Sequence, residues 1–438
     1  MIWSKYNYLF ESEKFGFLLY NSLSNSFIEL DSDGFLYLKS IKDSGIVDIR
    51  GDTEFLNNLI NAKVFVQNDK DEFYNMKYTA HYQRFDNKFL ELTLNPTLHC
   101  NFACRYCFEE NKPAKYMSNE VEDHLIDFIK KYYNEKMHIT WFGGEPLMAF
   151  DRVRSITKRI QELNINFTSS MITNGYLLSD KIIDELLILN INRLQITIDG
   201  VEETHDKRRC LISGAGTFRK IVSNIDLLKR KYPQYEVVIR INVDESNHEE
   251  FIKVFKYFYD KYKFGIIVDP GFVDDIHDCN ASDCLFNRER KARFLIDLYK
   301  KYGLNISGLY PNSYRYECAI RNPYHIVIGP EGEIYKCWND VGNEKKVVSH
   351  LFKKKIGDKT LLTRYQTAGD PFDDIECINC FHLPTCGGGC PYSRLAREFD
   401  NVRIDTCDIR KGNLKEFLEL HYEYKKAQAN LNRLNHQK

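Results

Sequence analysis

The amino-acid sequence predicts an α/β protein built around a parallel sheet. From residue 89 onward, short β-rich runs alternate with amphipathic helical stretches, which is the pattern of parallel sheets with crossover helices. The six β-rich runs span residues 90–94, 139–142, 170–173, 194–198, 237–243 and 265–268. Residues 311–410 break this alternation and contain many of the cysteines. We therefore expect a loop-rich, metal-held region there.

A separate small module precedes the sheet. Residues 15–30 predict a hairpin, Asp31 and Asp52 can each cap a following helix, and residues 63–67 form a short β-rich run. This order of elements predicts a winged-helix-like fold. Such a fold most often indicates DNA binding, but residues 1–80 contain 8 Lys and Arg against 12 Asp and Glu. That net negative charge disfavours DNA.

Composition excludes several classes of partner. The 438 residues include 61 Lys and Arg and 62 Asp and Glu, a net charge of −1, so no global field favours nucleic acid or an anionic membrane. No apolar run approaches the roughly 18 residues that span a bilayer. Residues 1–14 offer neither the apolar core nor the cleavage site of a secretory signal. We therefore expect a cytoplasmic protein with no nucleic-acid or membrane partner.

The spacing of the 13 cysteines indicates metal binding, since a reducing compartment disfavours disulfides. Ten of them form clusters: Cys100, Cys104 and Cys107; Cys377, Cys380, Cys386 and Cys390; and the flanking Cys318, Cys337 and Cys407. Three thiolates within eight residues suit a 4Fe-4S cluster, and three ligands leave one iron open for a reaction. Zinc is the alternative metal for both groups.

Two motifs resemble those of a known family. The run Cys100-Asn-Phe-Ala-Cys104-Arg-Tyr-Cys107 resembles the C-x3-C-x-aromatic-C signature of radical S-adenosylmethionine (radical SAM) enzymes. Gly143-Gly144-Glu145-Pro146 resembles the GGEP segment that receives the SAM amino group. The resemblance implies a partial (β/α)6 TIM-like barrel. It also implies SAM contacts at Tyr106, Gly143, Gly144, Glu145, Thr173, Asn174, Thr197, Asp199, Arg208 or Arg209, Arg240 and Asn242.

The C-terminal region is similar to the SPASM extension of the same family, and all seven cysteine positions match. The resemblance implies two auxiliary 4Fe-4S clusters, one on Cys377, Cys380, Cys386 and Cys407, the other on Cys318, Cys337 and Cys390. The fourth ligand of the second cluster is open: Cys279 or Cys284 supplies it, or that iron faces water or substrate. With the SAM-binding cluster, three 4Fe-4S clusters are expected.

The resemblance also implies a division into domains and a function. We predict a peptide recognition module at 1–88, a radical SAM barrel at 89–300, a SPASM domain at 301–410 and a helix at 411–438. SAM would be cleaved reductively to a 5′-deoxyadenosyl radical that abstracts hydrogen from a ribosomally made peptide. The expected partners are a precursor peptide, whose leader adds a strand to the N-terminal sheet, and a reductant such as flavodoxin or ferredoxin.

Three alternatives remain. Anaerobic sulfatase-maturating enzymes share the SPASM pattern but have Asp directly after its second cysteine, where this chain has Trp338. The nearest acid, Asp340, is the only candidate catalytic residue. An iron–sulfur electron carrier or a zinc-held interaction protein would need no GGEP or ribose motifs. Residues 1–88 could also be a cap on the barrel with no binding role.

Overall fold

A computed structural model describes residues 1–45, 53–107, 113–262, 264–273, 285–304, 309–310, 318–352 and 357–436. The strands are β1 (Ile2–Trp3), β2 (Asn7–Ser12), β3 (Gly16–Asn21), β4 (Ser26–Leu30), β5 (Phe65–Val66), β6 (Phe89–Leu94), β7 (Lys136–Trp141), β8 (Phe167–Thr173), β9 (Ile191–Thr197), β10 (Glu236–Val243), β11 (Ile266–Phe272), β12 (His325–Ile328), β13 (Glu333–Tyr335) and β14 (Ser349–His350). The helices are α1 (Ser32–Ser44), α2 (Thr53–Asn61), α3 (Asp69–Arg84), α4 (Asn119–Tyr132), α5 (Phe150–Glu162), α6 (Asp180–Leu186), α7 (Glu202–Arg208), α8 (Phe218–Lys231), α9 (Phe251–Lys261), α10 (Arg288–Tyr302), α11 (Lys359–Thr367), α12 (Ile375–Ile378), α13 (Leu383–Cys386), α14 (Pro391–Phe399) and α15 (Leu414–His436).

The chain divides into two compact units. The first unit comprises residues 1–84, 287–318 and 368–438, and the second comprises 85–286 and 319–367. The domain boundaries predicted from the sequence are not tested by this division and remain predictions. None of the described helices has the length and apolar character needed to cross a membrane.

The second unit contains the parallel sheet. Its described strands follow the order β11-β10-β9-β8-β7-β6-β12-β13-β14, and β6 to β11 pair in parallel with their chain neighbours. Helices lie between successive strands. The α/β class and the six predicted strands are therefore confirmed, and the arrangement is consistent with a partial barrel. Strand β12 was not predicted, although it pairs in parallel with β6.

Alternating burial explains why these segments form strands. In β7, Met137, Ile139 and Trp141 are almost fully buried, while His138 and Thr140 between them are only partly buried. Successive side chains of a strand point to opposite faces, so this pattern gives one closely packed face and one more polar face. The more polar face leaves room for functional side chains at the carboxyl ends of the strands.

The first unit contains a three-stranded antiparallel sheet in the order β2-β3-β4. Leu19 of β3 packs in a core with α1 and α2, whereas Tyr20 contacts Phe27 and lies edge-on to His421 of α15 on the opposite face. Helices therefore cover both faces of this sheet. The predicted hairpin is confirmed, and Asp31 caps α1 by accepting a hydrogen bond from the Gly34 N–H at 2.7 Å.

The other predicted elements of this module are partly tested. Helix α2 and strand β5 form where the sequence places them, and β5 pairs with β1. Asp52, the expected cap of α2, lies outside the described residues. Helix α3 was not predicted. Its Arg84 donates a hydrogen bond to Asp370 at 2.7 Å, so the module is tied to the C-terminal part of the same unit.

Candidate active site

A cavity of about 410 Å³ lies at the carboxyl ends of β6 to β11. Twelve of the residues predicted to form the SAM site line it: Cys100, Cys104, Tyr106, Cys107, Gly143, Gly144, Thr173, Asn174, Thr197, Arg209, Arg240 and Asn242. They come from segments that are far apart in the sequence. Parallel strands bring their carboxyl ends to the same edge of a sheet, which explains why these segments meet.

Gly143 and Gly144 allow two loops to pack together. A Cβ atom on Gly144 would lie 2.3 Å from the Leu98 carbonyl oxygen, and one on Gly143 would lie 2.4 Å from that of Thr97. Gly143 also has φ of +119°, a region that other residues rarely adopt. The Gly144 N–H donates to the Thr97 carbonyl at 3.1 Å. The glycines thus hold the segment after β7 against the start of the cysteine loop.

Glu145 lies behind the cavity wall and is 1% exposed. Its carboxylate accepts hydrogen bonds from the Thr173 hydroxyl at 2.6 Å, from the Asn174 N–H at 2.7 Å and from the Leu147 N–H at 3.0 Å. Burial raises the pKa of Glu145 above its usual value, although these three donors oppose the shift. In this structure Glu145 therefore joins the ends of β7 and β8, and its predicted contact with the SAM amino group remains a prediction.

Tyr106, in the cysteine loop, is held by groups from two strands. Its hydroxyl donates to the carboxylate of Asp199, which is fully buried, and accepts from Asn242 Nδ2 at 3.2 Å. Burial raises the pKa of Tyr106 well above its usual value, and the Asp199 charge adds to this shift. Tyr106 therefore stays protonated and fixes the cysteine loop to the ends of β9 and β10.

The two arginines after α7 differ in their surroundings. Arg208 donates to Asp244 at 2.8 Å, and its guanidinium lies 5.1 Å from the centre of the Tyr106 ring, so its charge is already paired. Arg209 lines the cavity and donates to the Tyr106 hydroxyl at 2.7 Å. Its Nε atom is buried and has no hydrogen-bond partner within the described chain. Of the two predicted candidates, Arg209 is therefore better placed to bind an anionic ligand.

Arg240 and Asn242 project into the cavity from β10. Arg240 Nε donates to Asn242 Oδ1 at 2.9 Å. A Cβ atom on Gly271 would lie 2.2 Å from an Arg240 guanidinium nitrogen, so the glycine makes room for the arginine on the neighbouring strand. Arg240 therefore lines the cavity, and its predicted contact with SAM remains a prediction.

The cavity also has an apolar wall that sequence reasoning missed. It is formed by Phe142, Ile172, Phe272, Val273 and Trp338. Trp338 is 49% exposed, and its ring centre lies 5.9 Å from that of Phe142. Gln195 and Asn339 add polar groups. Phe142 and Val273 directly follow β7 and β11 in the structure, but the predicted strands ended at residues 142 and 268, so no sequence signal marked these two side chains.

The donor set of the cysteine loop fits a cluster with one open iron. Cys100, Cys104 and Cys107 face the same cavity, and the unpaired Arg209 Nε lies in its wall. Although burial opposes its charge, Cys104, Tyr106 and Asp199 hold the pKa of Arg209 well above its usual value. Among the described residues, no group of three potential ligands is spaced for a single metal ion. A 4Fe-4S cluster does not require that spacing, because each of its thiolate ligands binds a different iron.

The first unit contains a second cysteine-lined cavity. Cys377, Cys380, Cys386 and Cys407 all line it, as the predicted four-ligand cluster requires. Burial raises the pKa of Cys386 to about 12, so iron binding there must displace a proton. The guanidinium of buried Arg394 donates to the Cys377 sulfur at 3.4 Å. These donors fit a closed 4Fe-4S cluster, which remains a prediction.

The remaining predicted ligands and Asp340 are placed as follows. Cys318 and Cys390 lie in the first unit and Cys337 in the second, so their common cluster remains a prediction. Cys279 and Cys284 lie outside the described residues. Asp340 is 1% exposed, does not line the active-site cavity, and accepts a hydrogen bond from the Tyr365 hydroxyl at 2.6 Å.

Comparison with known proteins agrees with the class that the site indicates. Residues 94–258 match the model of the Radical SAM superfamily. Residues 94–258 of the chain therefore form a radical SAM domain.

Two curated relatives are similar over much of the chain. The radical SAM cyclopropyl synthase TigE of Paramaledivibacter caminithermalis is 22% identical and covers 96% of both chains. A cysteine-type anaerobic sulfatase-maturating enzyme of Clostridium novyi is 26% identical over 69% of this chain and 88% of that enzyme. Both relatives are enzymes, in agreement with the predicted class.

A solved structure shares the fold. SuiB of Streptococcus suis, bound to the precursor peptide SuiA, aligns with a TM-score of 0.51 at 16% identity. The alignment covers 89% of this chain and 95% of SuiB. At this identity the likeness shows the fold alone.

Proposed function

We propose that this enzyme is a radical SAM/SPASM maturase of a ribosomally made peptide, in which it forms a cross-link or another modification. The observation that carries this proposal is the extent of the match to the cyclopropyl synthase TigE, which covers 96% of both chains. The sulfatase-maturating relative covers 69% of this chain. SuiB, which has the same fold, was solved with a precursor peptide, and this supports a peptide substrate.

We further propose that SAM binds in the active-site cavity beside Cys100, Cys104 and Cys107. Arg209 would hold the SAM carboxylate, because its Nε is buried and unpaired and its charge is retained. Thr197 and Asn242 offer polar groups for the ribose. When bound, the cluster would supply the electron that cleaves SAM to a 5′-deoxyadenosyl radical, and the substrate would then lose a hydrogen atom to that radical.

In this proposal the apolar wall holds the reacting substrate carbon close to SAM and keeps water away. A carbon radical reacts with nearby C–H and S–H groups, so the substrate carbon must be held close and water and other groups kept away. Phe142, Phe272 and Trp338 present aromatic surface to the side chain that reacts. Two auxiliary clusters in the SPASM region would accept or conduct an electron, and a flavodoxin or ferredoxin would supply the first one.

If the gene beside this one encodes a short Cys-rich or motif-repeating peptide, we expect the reconstituted enzyme to modify that peptide. With SAM and dithionite, that peptide should change in mass while 5′-deoxyadenosine forms, and omission of SAM should prevent both. A sulfatase-derived peptide should show no formylglycine, because Trp338 stands where the sulfatase-type enzymes have a base. Formylglycine on that peptide, measured by mass spectrometry, would instead support the sulfatase-maturating alternative.

Asp340 should not be the catalytic base. We expect Asp340→Asn to retain peptide modification within about threefold, because the asparagine amide oxygen can still accept the Tyr365 hydrogen bond. Tyr365→Phe is the matched variant that removes the same bond and keeps the carboxylate. A loss of more than a hundredfold in Asp340→Asn alone, with normal iron content and normal SAM cleavage, would show that the carboxylate is a base.

A further inference from the structure

A chain of hydrogen bonds behind the cavity connects the end of β9 to the segment after α7. The Asp199 N–H donates to His205 Nδ1 at 3.2 Å. Because a backbone N–H can only donate, Nδ1 accepts and the imidazole proton lies on Nε2. Nε2 donates to the Thr217 hydroxyl at 3.0 Å, and that hydroxyl donates to the Arg209 carbonyl at 2.6 Å. The donor and the acceptor of each of these three hydrogen bonds are therefore fixed.

The groups that form this series of hydrogen bonds are buried, so water does not compete for their donors and acceptors. His205 is fully buried and Thr217 is 1% exposed. Burial, together with the charges of Arg209 and Arg208, lowers the pKa of His205 well below its usual value, so the ring is neutral. The side chain of Asp206 accepts from the Thr217 N–H at 2.7 Å, which fixes Thr217 at the start of α8.

The segment after α7 in turn pairs with the cysteine loop. The Arg105 N–H donates to the Arg208 carbonyl at 3.3 Å, and the Ile212 N–H donates to the Asn101 carbonyl at 3.1 Å. These bonds lie on either side of Arg209, whose side chain lines the cavity. The position of Arg209 therefore depends on the cysteine loop on one side and on Thr217 on the other.

We propose that the Thr217 hydroxyl, oriented by His205, is a positioning residue that sets the affinity for SAM by holding Arg209 in the cavity wall. Neither residue lines the cavity, so both act through Arg209. This inference rests on the proposed function, in which SAM binds beside Arg209.

The test compares two substitutions at Thr217. Thr217→Val removes the hydroxyl with little change of volume and should weaken SAM binding about five- to tenfold, in line with the loss of a buried hydrogen bond. The binding constant is measured from the change that SAM produces in the electron paramagnetic resonance signal of the reduced cluster. The KM for SAM should rise together with the dissociation constant, while kcat at saturating SAM changes less. Thr217→Ser retains a hydroxyl and should restore most of the affinity.

Thr157→Val is the matched control. Thr157 is also fully buried in the second unit, but its hydroxyl has no hydrogen-bond partner among the described residues. This variant should bind SAM like the wild type. Equal SAM affinity in Thr217→Val and Thr157→Val would overturn the inference, and so would equal losses in Thr217→Val and Thr217→Ser. A wild-type enzyme that binds no SAM would contradict the proposed function itself.

The wild type provides a second test if Thr217→Val does not hold its iron. SAM should slow amide hydrogen exchange in residues 208–212 and 101–105 together, because the two segments are hydrogen-bonded. Protection confined to residues 101–105 would overturn the inference.

Discussion

Replacement of Cys100, Cys104 and Cys107 together by alanine should abolish 5′-deoxyadenosine formation from SAM. No other described cysteine lines the active-site cavity, so no substitute ligand is available for the reacting iron. The triple variant should keep about eight of the twelve irons expected for three cubes, because the cysteines of the predicted auxiliary clusters are unchanged. Iron analysis and chromatographic detection of 5′-deoxyadenosine measure both effects.

Cys210→Ala is the matched control for this variant. Cys210 belongs to the same unit and is partly buried, but its thiol does not line the cavity. Its replacement should leave iron content and SAM cleavage unchanged. If the triple variant still forms 5′-deoxyadenosine with dithionite, the assignment of the SAM site is wrong. If it loses all of its iron, the auxiliary clusters do not form independently of the reacting one.

Features formed by consecutive residues can be predicted from the sequence, whereas features that depend on pairing between distant segments cannot. The cysteine loop and Gly143-Gly144 could be recognised because their residues are consecutive. The six strands could be recognised because each is a short β-rich run between amphipathic helical stretches. The pairing of β12 with β6 could not, because only four residues are involved and nothing nearby in the sequence indicates a partner.

The same distinction applies within the active site. The sequence gives Glu145 and Arg209 as candidate ligands, but only the structure shows that Glu145 is surrounded by donors from β8 and that Arg209 keeps an unpaired Nε. Arg208 and Arg209 are adjacent in the chain and have the same chemistry, so no sequence pattern separates them. Their surroundings differ because Arg208 pairs with Asp244, which lies on a different segment.

The N-terminal module belongs to the first unit and shares a core with its C-terminal part. Tyr6 packs with Phe372 and Leu383, and the Ser22 hydroxyl donates to the Phe381 carbonyl at 2.7 Å. Deleting residues 1–84 would expose this core beside the four-cysteine cavity. A loss of activity in such a deletion would therefore not distinguish peptide binding from unfolding. The role of the module must be tested by changing the peptide.

Removal of the leader from the precursor peptide should lower kcat/KM for peptide modification by about 10²- to 10⁴-fold, the range that tethering of a substrate provides. Uncoupled SAM cleavage in the presence of the leaderless peptide should match that measured without peptide, because the residues of the proposed SAM site all lie in the second unit. A free leader peptide added at high concentration should compete with the full-length precursor. A leaderless peptide that is modified at the normal rate would show that the leader makes no contribution to binding.

Hydrogen exchange on the unmodified enzyme should show where the leader binds. Helices cover both faces of the β2-β3-β4 sheet, so the outer edges of β2 and β4 are the places where an added strand can form main-chain hydrogen bonds. The leader should slow exchange in residues 7–12 or 26–30. Strand β3 is the internal control, because it already pairs on both sides and its exchange should not change. Leader binding that protects neither edge would exclude strand addition to the β2-β3-β4 sheet.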